Sequence, residues 1–257
     1  MEDKNLSLKV EIPESLDKAT GNLLNKPSAT LGQIVSTALE YWYNTAMLPM
    51  QRYNMAARAE LDKYAKELDD KIKNIPEDRR TESSVNILGP AIDGLKYNLN
   101  EEHIKELFTN IIVSDMDITT KNKVLPSYIE IVKQLSKDDA LFLKELGEAK
   151  KDSFWVIDFR LAAEESGYQK LSQYYCTEKN GQKIAQKLNP IIVDNLKRLN
   201  LIDFNFGESF VDSKNYDFLF EEAQKDYAIE ETMKFKKGDG IFRITEYGMN
   251  FLKICIK

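Results

Sequence analysis

The sequence predicts a mostly α-helical protein, with an N-terminal helical region over residues 1–125 and a winged-helix-like α+β domain over residues 126–257. Three observations support this fold class. Proline and glycine are few, at 7 and 11 of 257 residues, whereas a turn-rich β fold would need more of both. Apolar residues recur at steps of three and four through most of the first region. Strand-like runs occur only near the C-terminal end, at 201–206 and 240–245.

The N-terminal region is expected to consist of four helices. Apolar residues at helical spacing predict the first over 28–47, with Pro49 kinking or ending it. The second, over 54–75, pairs an apolar stripe with a face of Lys, Glu and Asp, which is typical of a solvent-facing amphipathic helix. The third covers the apolar run 84–97, and the fourth begins near Asn100. The wide apolar stripe of that fourth helix consists of Ile104, Leu107, Phe108, Ile111 and Ile112.

The C-terminal domain is expected to begin near Pro126 with short helices and to end in a strand pair and a closing helix. A helix is predicted through 154–165, in an aromatic-rich stretch, and another over 184–199 with its leucines and isoleucines on one side. The Lys-Gly-Asp-Gly run over 237–240 predicts a hairpin turn between basic and apolar segments. The remaining predicted helices are 128–135, 140–146 and 248–257.

From residue 184 onward, the order of helix, strand pair and final helix resembles a winged helix. As a DNA-binding domain it would present a set of basic residues on the helix and the wing, namely Lys187, Lys197, Arg198, Lys236 and Lys237. Residues 208–246 oppose this interpretation, because they hold ten acidic residues against six basic ones and the whole chain has a net charge of −6. A nucleic-acid surface and a protein-docking surface both remain open for these residues, and the charge favours protein.

The helix over 28–47 is the strongest candidate for an interface or a membrane contact. Between Pro27 and Gln51 its only charged residue is Glu40. Its apolar face carries Leu31, Ile34, Leu39 and Trp42. Core packing, a homo-oligomer interface and membrane association through residues 28–50 all fit this face. No signal peptide is evident and no apolar run reaches the ~20 residues that span a bilayer. We therefore expect a cytoplasmic protein that associates with a membrane, if at all, on activation.

The residues form no pattern typical of catalysis or metal binding, so we expect no enzyme activity, no metal, no cofactor and no small-molecule substrate. His103 is the only histidine and lies beside two glutamates at a helix start, which is typical of a surface residue. Cys176 and Cys255 are the only cysteines and are expected to be reduced. A zinc site would need more Cys or His ligands, and we find no Gly-rich phosphate loop and no Gly-x-Ser-x-Gly elbow.

The stretch over 102–146 combines an amphipathic helix, a polar linker and the run PSYIEIVKQLSKDDA leading into another helix. Related helical packing patterns occur over 71–76, over 88–97 and at the Thr-Glu-Tyr-Gly turn that begins at Thr245. In these motifs, from about residue 60 onward, the chain resembles the bacterial Abi-alpha family. The resemblance implies a role in abortive infection, the suicidal defence of bacteria against phage.

We therefore predict a non-enzymatic component of phage defence that senses or scaffolds through protein–protein contacts, with a protein partner or a homo-oligomer. Two alternatives remain open, a membrane-perturbing toxic effector and a winged-helix DNA-binding regulator. A scaffold should form a stable soluble complex, a toxic effector should arrest growth on overexpression, and a DNA-binding regulator should retain duplex DNA in a salt-sensitive manner.

Overall fold

The computed structural model describes residues 31–46, 54–162, 167–227 and 234–256. These residues form two compact units. The helical unit takes the described residues up to Lys137 together with those from Ile254 onward, and the sheet unit takes Asp138–Lys253. The predicted domain boundary between residues 125 and 126 stays a prediction.

The helical unit contains five α-helices in its described part, and all five were predicted from the apolar spacing. Their bounds are α1 Leu31–Ala46, α2 Asn54–Lys73, α3 Val85–Leu95, α4 Glu102–Asp115 and α5 Pro126–Val132. In α4 every residue from Ile104 to Asp115 except Glu106 is buried, so this helix forms the core of the unit. Gly94 allows α3 to pack closely against Phe108 of α4, because a Cβ at this position would collide with the phenyl ring.

In its described residues, the sheet unit is built on five antiparallel strands in the order β3-β2-β1-β5-β4. The strands are β1 Ser153–Ala162, β2 Tyr168–Lys179, β3 Gln182–Lys187, β4 Ile202–Asn205 and β5 Phe235–Ile244. The helices of this unit are α6 Lys137–Glu148, α7 Pro190–Arg198, α8 Lys214–Lys225 and α9 Glu246–Cys255, of which α6 begins and α9 ends just inside the helical unit.

Both faces of the sheet are covered by apolar side chains. On one face Ile157 and Phe159 of β1 pack with Tyr216 and Leu219 of α8. On the other face aromatic rings meet at centroid distances of 4.7–6.3 Å, and those rings belong to Phe142, Phe154, Tyr175, Phe204 and Phe242. Many antiparallel sheets expose one face to solvent, whereas this sheet packs against a hydrophobic layer on each face.

This sheet shows that the predicted mostly α fold class and the winged-helix-like domain are wrong, because the C-terminal part is an α+β unit around five strands. β1 occupies most of the predicted helix 154–165, and β3 occupies the first part of the predicted helix 184–199, whose second part is α7. Since both faces of β1 are buried, its apolar residues do not alternate with polar ones. The sequence therefore lacks the period of two that marks a half-exposed strand.

The predicted hairpin turn over 237–240 is also wrong, since these residues lie within β5. The two glycines there make room for side chains that lie across the strand. A Cβ on Gly238 would collide with the guanidinium of Arg160, and one on Gly240 would collide with the ring of Phe206. The predicted strands over 201–206 and 240–245 and the closing helix are confirmed as β4, β5 and α9.

Candidate interaction site

Strands β2 and β3 of the sheet unit join through a two-residue turn at Asn180 and Gly181. Both residues have positive φ, 53° and 75°, as a type I′ turn requires, and Asn-Gly is the sequence that adopts this turn most readily. The turn pairs Lys179 with Gln182 and so fixes the register of all of β3. Among the described residues, β3 is the last strand on its side of the sheet, and no further strand pairs with its outer edge.

A cavity of about 430 Å³ lies beside β3, between β2, β3, α6 and α7, and we refer to it as the β3 cavity. Its apolar lining consists of Phe142, Tyr175, Leu188, Ile192 and Val193. The polar residues in the wall are Glu145, Gln186, Lys187 and Asn189. Binding pockets commonly have a mostly apolar lining with a few placed polar groups and a volume of about 300–1,000 Å³. The β3 cavity therefore has the size and composition to hold a large apolar side chain.

Glu145 is the polar centre of the β3 cavity. Its carboxylate accepts hydrogen bonds from the amide of Gln186 and from the hydroxyl of Tyr175, the latter at 3.4 Å. Burial raises the pKa of Tyr175, and the negative charge of Glu145 raises it further, so the phenol stays neutral. A neutral phenol and a carboxylate held by two donors are suited to orienting a bound group.

The first turn of α7 forms the far wall of the β3 cavity. Pro190 occupies the first turn of the helix, where its missing N–H costs nothing, and the side chain of Asn189 accepts a hydrogen bond from the amide of Ile191 at 3.0 Å. This cap turns Ile192 and Val193 towards the cavity and leaves Ile191 outside, 79% exposed. A bond of 2.9 Å from Asn195 to Asp139 links α7 to α6.

Comparison with known proteins identifies the family. The family model described as abortive infection alpha matches residues 56–255, which is most of the chain and includes every residue of the β3 cavity. The chain belongs to the abortive infection alpha family. The resemblance in the sequence motifs is thus confirmed, and the family's description connects the protein with abortive infection. No curated protein and no solved structure gives a significant match.

In this abortive infection alpha protein the five predicted basic site residues do not form one surface. Lys236 and Lys237 are neighbours on β5 and therefore project to opposite faces of the sheet. Lys237 forms an ion pair of 2.7 Å with Asp217 of α8. Lys197 and Arg198 are exposed at the end of α7, and Arg198 donates to Asn195 at 2.8 Å.

Lys187 is the one member of that basic set among the residues at the β3 cavity, although its ammonium group lies on the α8 side of the sheet. Its ammonium group is 4.0 Å from the carboxylate of Asp226 and 5.2 Å from the ring of Tyr227. The role of all five basic residues, on a partner or on nucleic acid, stays a prediction. Sequence reasoning missed the other cavity residues, although two local signals pointed to them, the Asn-Gly turn before β3 and the Asn-Pro helix start after it.

The proposed interface face of α1 can be assessed at one of its four residues. Leu39 is 1% exposed and lies in the core of the helical unit with Val35 and Ala38. The side chains of Leu31, Ile34 and Trp42 lie outside the described part, so their role at an interface or a membrane stays a prediction. α1 packs closely on α2, where the amide of Gly32 donates to Asp69 at 2.9 Å.

The remaining candidate residues of the abortive infection alpha protein are separate from one another. His103 is half-buried in the first turn of α4. Cys176 and Cys255 are buried and form no disulfide with each other, and burial raises the pKa of the Cys176 thiol. Within the described ranges, no three Cys, His, Asp or Glu side chains are grouped so that they could hold a metal ion. Over the same ranges, no helix has the length and apolar character needed to cross a bilayer.

Proposed function

We propose that this abortive infection alpha protein is a non-enzymatic component of phage defence that senses or scaffolds by binding a protein partner at the β3 cavity. The observation that carries the proposal is the position of the cavity. Its apolar walls lie between the open edge of β3 and the first turn of α7, where Ile191 is exposed to solvent. A large exposed apolar side chain beside an apolar cavity is a common feature of protein interfaces.

The chemistry of the β3 cavity supports binding rather than catalysis. A general base needs a free acceptor of suitable pKa and a partner that orients it. Glu145 is already engaged by two donors, and Tyr175 is a neutral phenol. The nearest thiol, Cys176, is buried in the cluster on the opposite face of the sheet. In this proposal the protein works in the cytoplasm.

The two alternative functions differ in the support that they have. A winged-helix DNA regulator is no longer proposed, because the fold on which it depended is wrong and Lys236 and Lys237 face opposite ways. A membrane-perturbing effector depends on residues 28–50, most of whose side chains lie outside the described part. The membrane role therefore stays an alternative, to be separated by experiment.

The test is expression in a bacterial host with and without phage, comparing the wild type with Ile192→Glu. Ile192 lines the β3 cavity and is half-buried, so a glutamate there would fill and charge the cavity without opening the sheet core. Leu141→Glu is the matched control, because Leu141 is 40% exposed on α6 and does not line the cavity. Plaque counts and host growth give the activity, and circular dichroism confirms folding.

We expect Ile192→Glu to lose protection and Leu141→Glu to keep it. Full protection by a folded Ile192→Glu variant would contradict binding at this cavity. Loss of membrane potential that is equal in the wild type and in Ile192→Glu would instead favour the membrane effector. For the enzyme alternative, mass spectrometry of host metabolites and macromolecules should show no product that accumulates with the wild type alone.

A further inference from the structure

The main-chain groups along the outer edge of β3 can be assigned from the hairpin register. The amide of Leu188 donates to the carbonyl of Gln173 at 2.8 Å, which continues the ladder between β2 and β3 beyond Lys187. In an antiparallel pair, residues that bond to the neighbouring strand alternate with residues whose amide and carbonyl point away. Gln182, Ile184 and Gln186 therefore bond to β2, and the other three residues of β3 direct their main-chain groups outward.

The outward residues are Lys183, Ala185 and Lys187. Across the described ranges, no hydrogen bond engages their outward amides and carbonyls. An unpaired strand edge of this kind can receive an extended segment from another chain. These three alternate residues offer three amides and three carbonyls to such a segment.

The β3 cavity reaches this edge. The side chain of Ala185 packs with Cys176 in the cluster on the opposite face of the sheet, yet Ala185 also lines the cavity. The part of Ala185 that faces the cavity is therefore its main chain. A segment paired with β3 would direct every second side chain to the face that holds the cavity, since side chains alternate between faces along a strand. The cavity itself borders β3 at residues 185–187.

The charge at the edge indicates what the segment carries on its other face. Lys183 and Lys187 are exposed and project to the α8 side, opposite the cavity, and β3 contains no acidic residue. Two carboxylates are close to these lysines. Glu178 lies across from Lys183 but forms an ion pair of 3.7 Å with Lys151, and Asp226 is 4.0 Å from Lys187. The net charge of the chain is −6, so this edge is a locally basic feature on an acidic protein.

We infer that the outer edge of β3 binds an extended acidic segment of the partner protein, which adds as a further strand and places a large apolar side chain in the β3 cavity. This inference rests on the proposed function and specifies the chemistry of its partner. The bound segment alternates apolar residues, directed at the cavity, with Glu or Asp, directed at Lys183 and Lys187. Main-chain hydrogen bonds supply affinity, and the alternation supplies selectivity.

A competing explanation is that the two lysines only protect the edge. Charged residues on edge strands, lysine above all, commonly prevent aggregation without binding anything. The two explanations predict different binding results, because an edge that is only protected against aggregation would select no ligand. A segment from a second copy of the same chain is another occupant, and its signature is dimerisation.

The test begins with a displayed library of random peptides, long enough to pair with all of β3, selected on the intact protein. We expect the selected peptides to alternate apolar and acidic residues. Two N-methylated forms of a selected peptide are then compared by fluorescence anisotropy. Methylation of the amides that face β3 should weaken binding at least about tenfold, and methylation of the amides that face away should leave it unchanged.

Variants of the protein provide the second arm. Lys183→Glu combined with Lys187→Glu should weaken the acidic peptide about tenfold at low salt. Lys66→Glu combined with Lys253→Glu changes the net charge equally at exposed positions on α2 and α9 and is the matched control. Ala185→Pro removes one outward amide but leaves the hydrogen bonds between β3 and β2 in place. This variant should abolish binding of the peptide.

Selection of no acidic alternating peptide, or equal effects of the two methylation patterns, would overturn the strand-addition inference. A wild-type dimer that Ala185→Pro dissociates would show that the occupant is a second copy, and the acidic segment would be wrong. These outcomes are distinct from failure of the proposed function. If Ile192→Glu abolishes phage protection while the peptide results fail, the cavity binds a partner by another mode. If Ile192→Glu retains protection, the proposed function fails whatever the peptides do.

Discussion

Helix α4 and strand β3 are both rich in polar groups, but they differ in whether those groups have bonding partners within the protein. Five polar residues of α4 are buried, and they form hydrogen bonds or ion pairs within the helical unit. Lys105 pairs with Glu102 at 2.7 Å, the amide of Asn110 donates to the carbonyl of Cys255 at 2.8 Å, and Asp115 accepts from Ser83 at 2.8 Å. In β3 the outward main-chain groups have no such bonds among the described residues.

The contrast separates polar groups that serve folding from those that are free to serve recognition. A buried polar group without a partner costs about 1–3 kcal/mol, so the residues of α4 can be changed only at the expense of stability. The main-chain groups at the outer edge of β3 can form hydrogen bonds with water in the free protein. Leaving them without a protein partner therefore costs little free energy. Substitutions in α4 should therefore alter the free energy of unfolding, and substitutions in β3 should alter binding.

The largest effect is expected in the core around α4. Leu107 is 4% exposed, so Leu107→Ala should lower the free energy of unfolding by about 2–5 kcal/mol through lost burial and a residual cavity. His103→Ala, in the first turn of the same helix, is the control and should stay within about 0.5 kcal/mol of the wild type. Urea denaturation measures both. If the His103→Ala variant folds but loses phage protection, the non-enzymatic proposal is contradicted.

The next largest effect is expected at Asp115. Its carboxylate accepts from the hydroxyls of Ser83 and Ser84 and from the amide of Ser84, at the start of α3. Asp115→Ala should destabilise the helical unit by about 2–3 kcal/mol, because these donors lose their buried acceptor. Asp138→Ala is the control, an exposed acid in the first turn of α6. Similar unfolding midpoints for the two variants would show that the Asp115 network contributes no stability.

The pH dependence of the helical unit should reveal a third, smaller contribution. Burial opposes ionisation of Asp117, but hydrogen bonds from Arg79 and Thr119 outweigh it and lower the pKa of Asp117 to about 2. A carboxyl whose pKa falls on folding stabilises the protein above its unfolded pKa of about 3.9. That stability is lost as the pH falls through about 2.

Asp117→Asn tests this contribution. The variant should be less stable than the wild type by about 1 kcal/mol near neutral pH, which is typical of a partly exposed bidentate pair. The difference should vanish towards pH 2. Urea denaturation at a series of pH values measures it, with Asp138→Asn as the control. A difference that does not change with pH would mean that Asp117 acts through its shape and not through its charge.

The smallest effect on stability is expected at the outer edge of β3. Ala185→Pro should change the free energy of unfolding by less than about 1 kcal/mol, because proline is tolerated where a strand's N–H faces away from the sheet. Ile184→Pro should cost about 3 kcal/mol or more, since it removes a ladder bond to β2. Thermal denaturation compares the two neighbours. Equal losses would mean that the assignment of outward groups along β3 is wrong.

Helix α2 of the helical unit could be predicted from sequence because one of its sides is exposed. α2 alternates its apolar stripe with lysines and acids, so the period of 3.6 is visible. The sheet could not be predicted in the same way. β1 has Val156 and Ile157 buried on successive faces, and such a run does not distinguish a strand from a buried helix.

The β3 cavity was beyond sequence reasoning for a different reason. Its walls come from α6, β2, β3 and α7, which meet only when the register of the sheet is known. Two local signals were present, the Asn189-Pro190 helix start and the Asn180-Gly181 turn, which is the strongest short indication of a hairpin. With that turn in place, β3 becomes an edge strand and the predicted helix 184–199 divides into β3 and α7.

That two-residue turn also determines how the family could change its partners over evolution. A strand shifted by one residue exchanges both its faces and its outward groups. If one residue inserted between Lys179 and Gln182 shifted β3 by one position, the main chain of Gln182, Ile184 and Gln186 would point outward and both lysines would project to the other face. The α8 side of the edge would lose both lysines in a single step, without a change to any residue of the strand. Turn length in related proteins should therefore vary together with the partners that they bind.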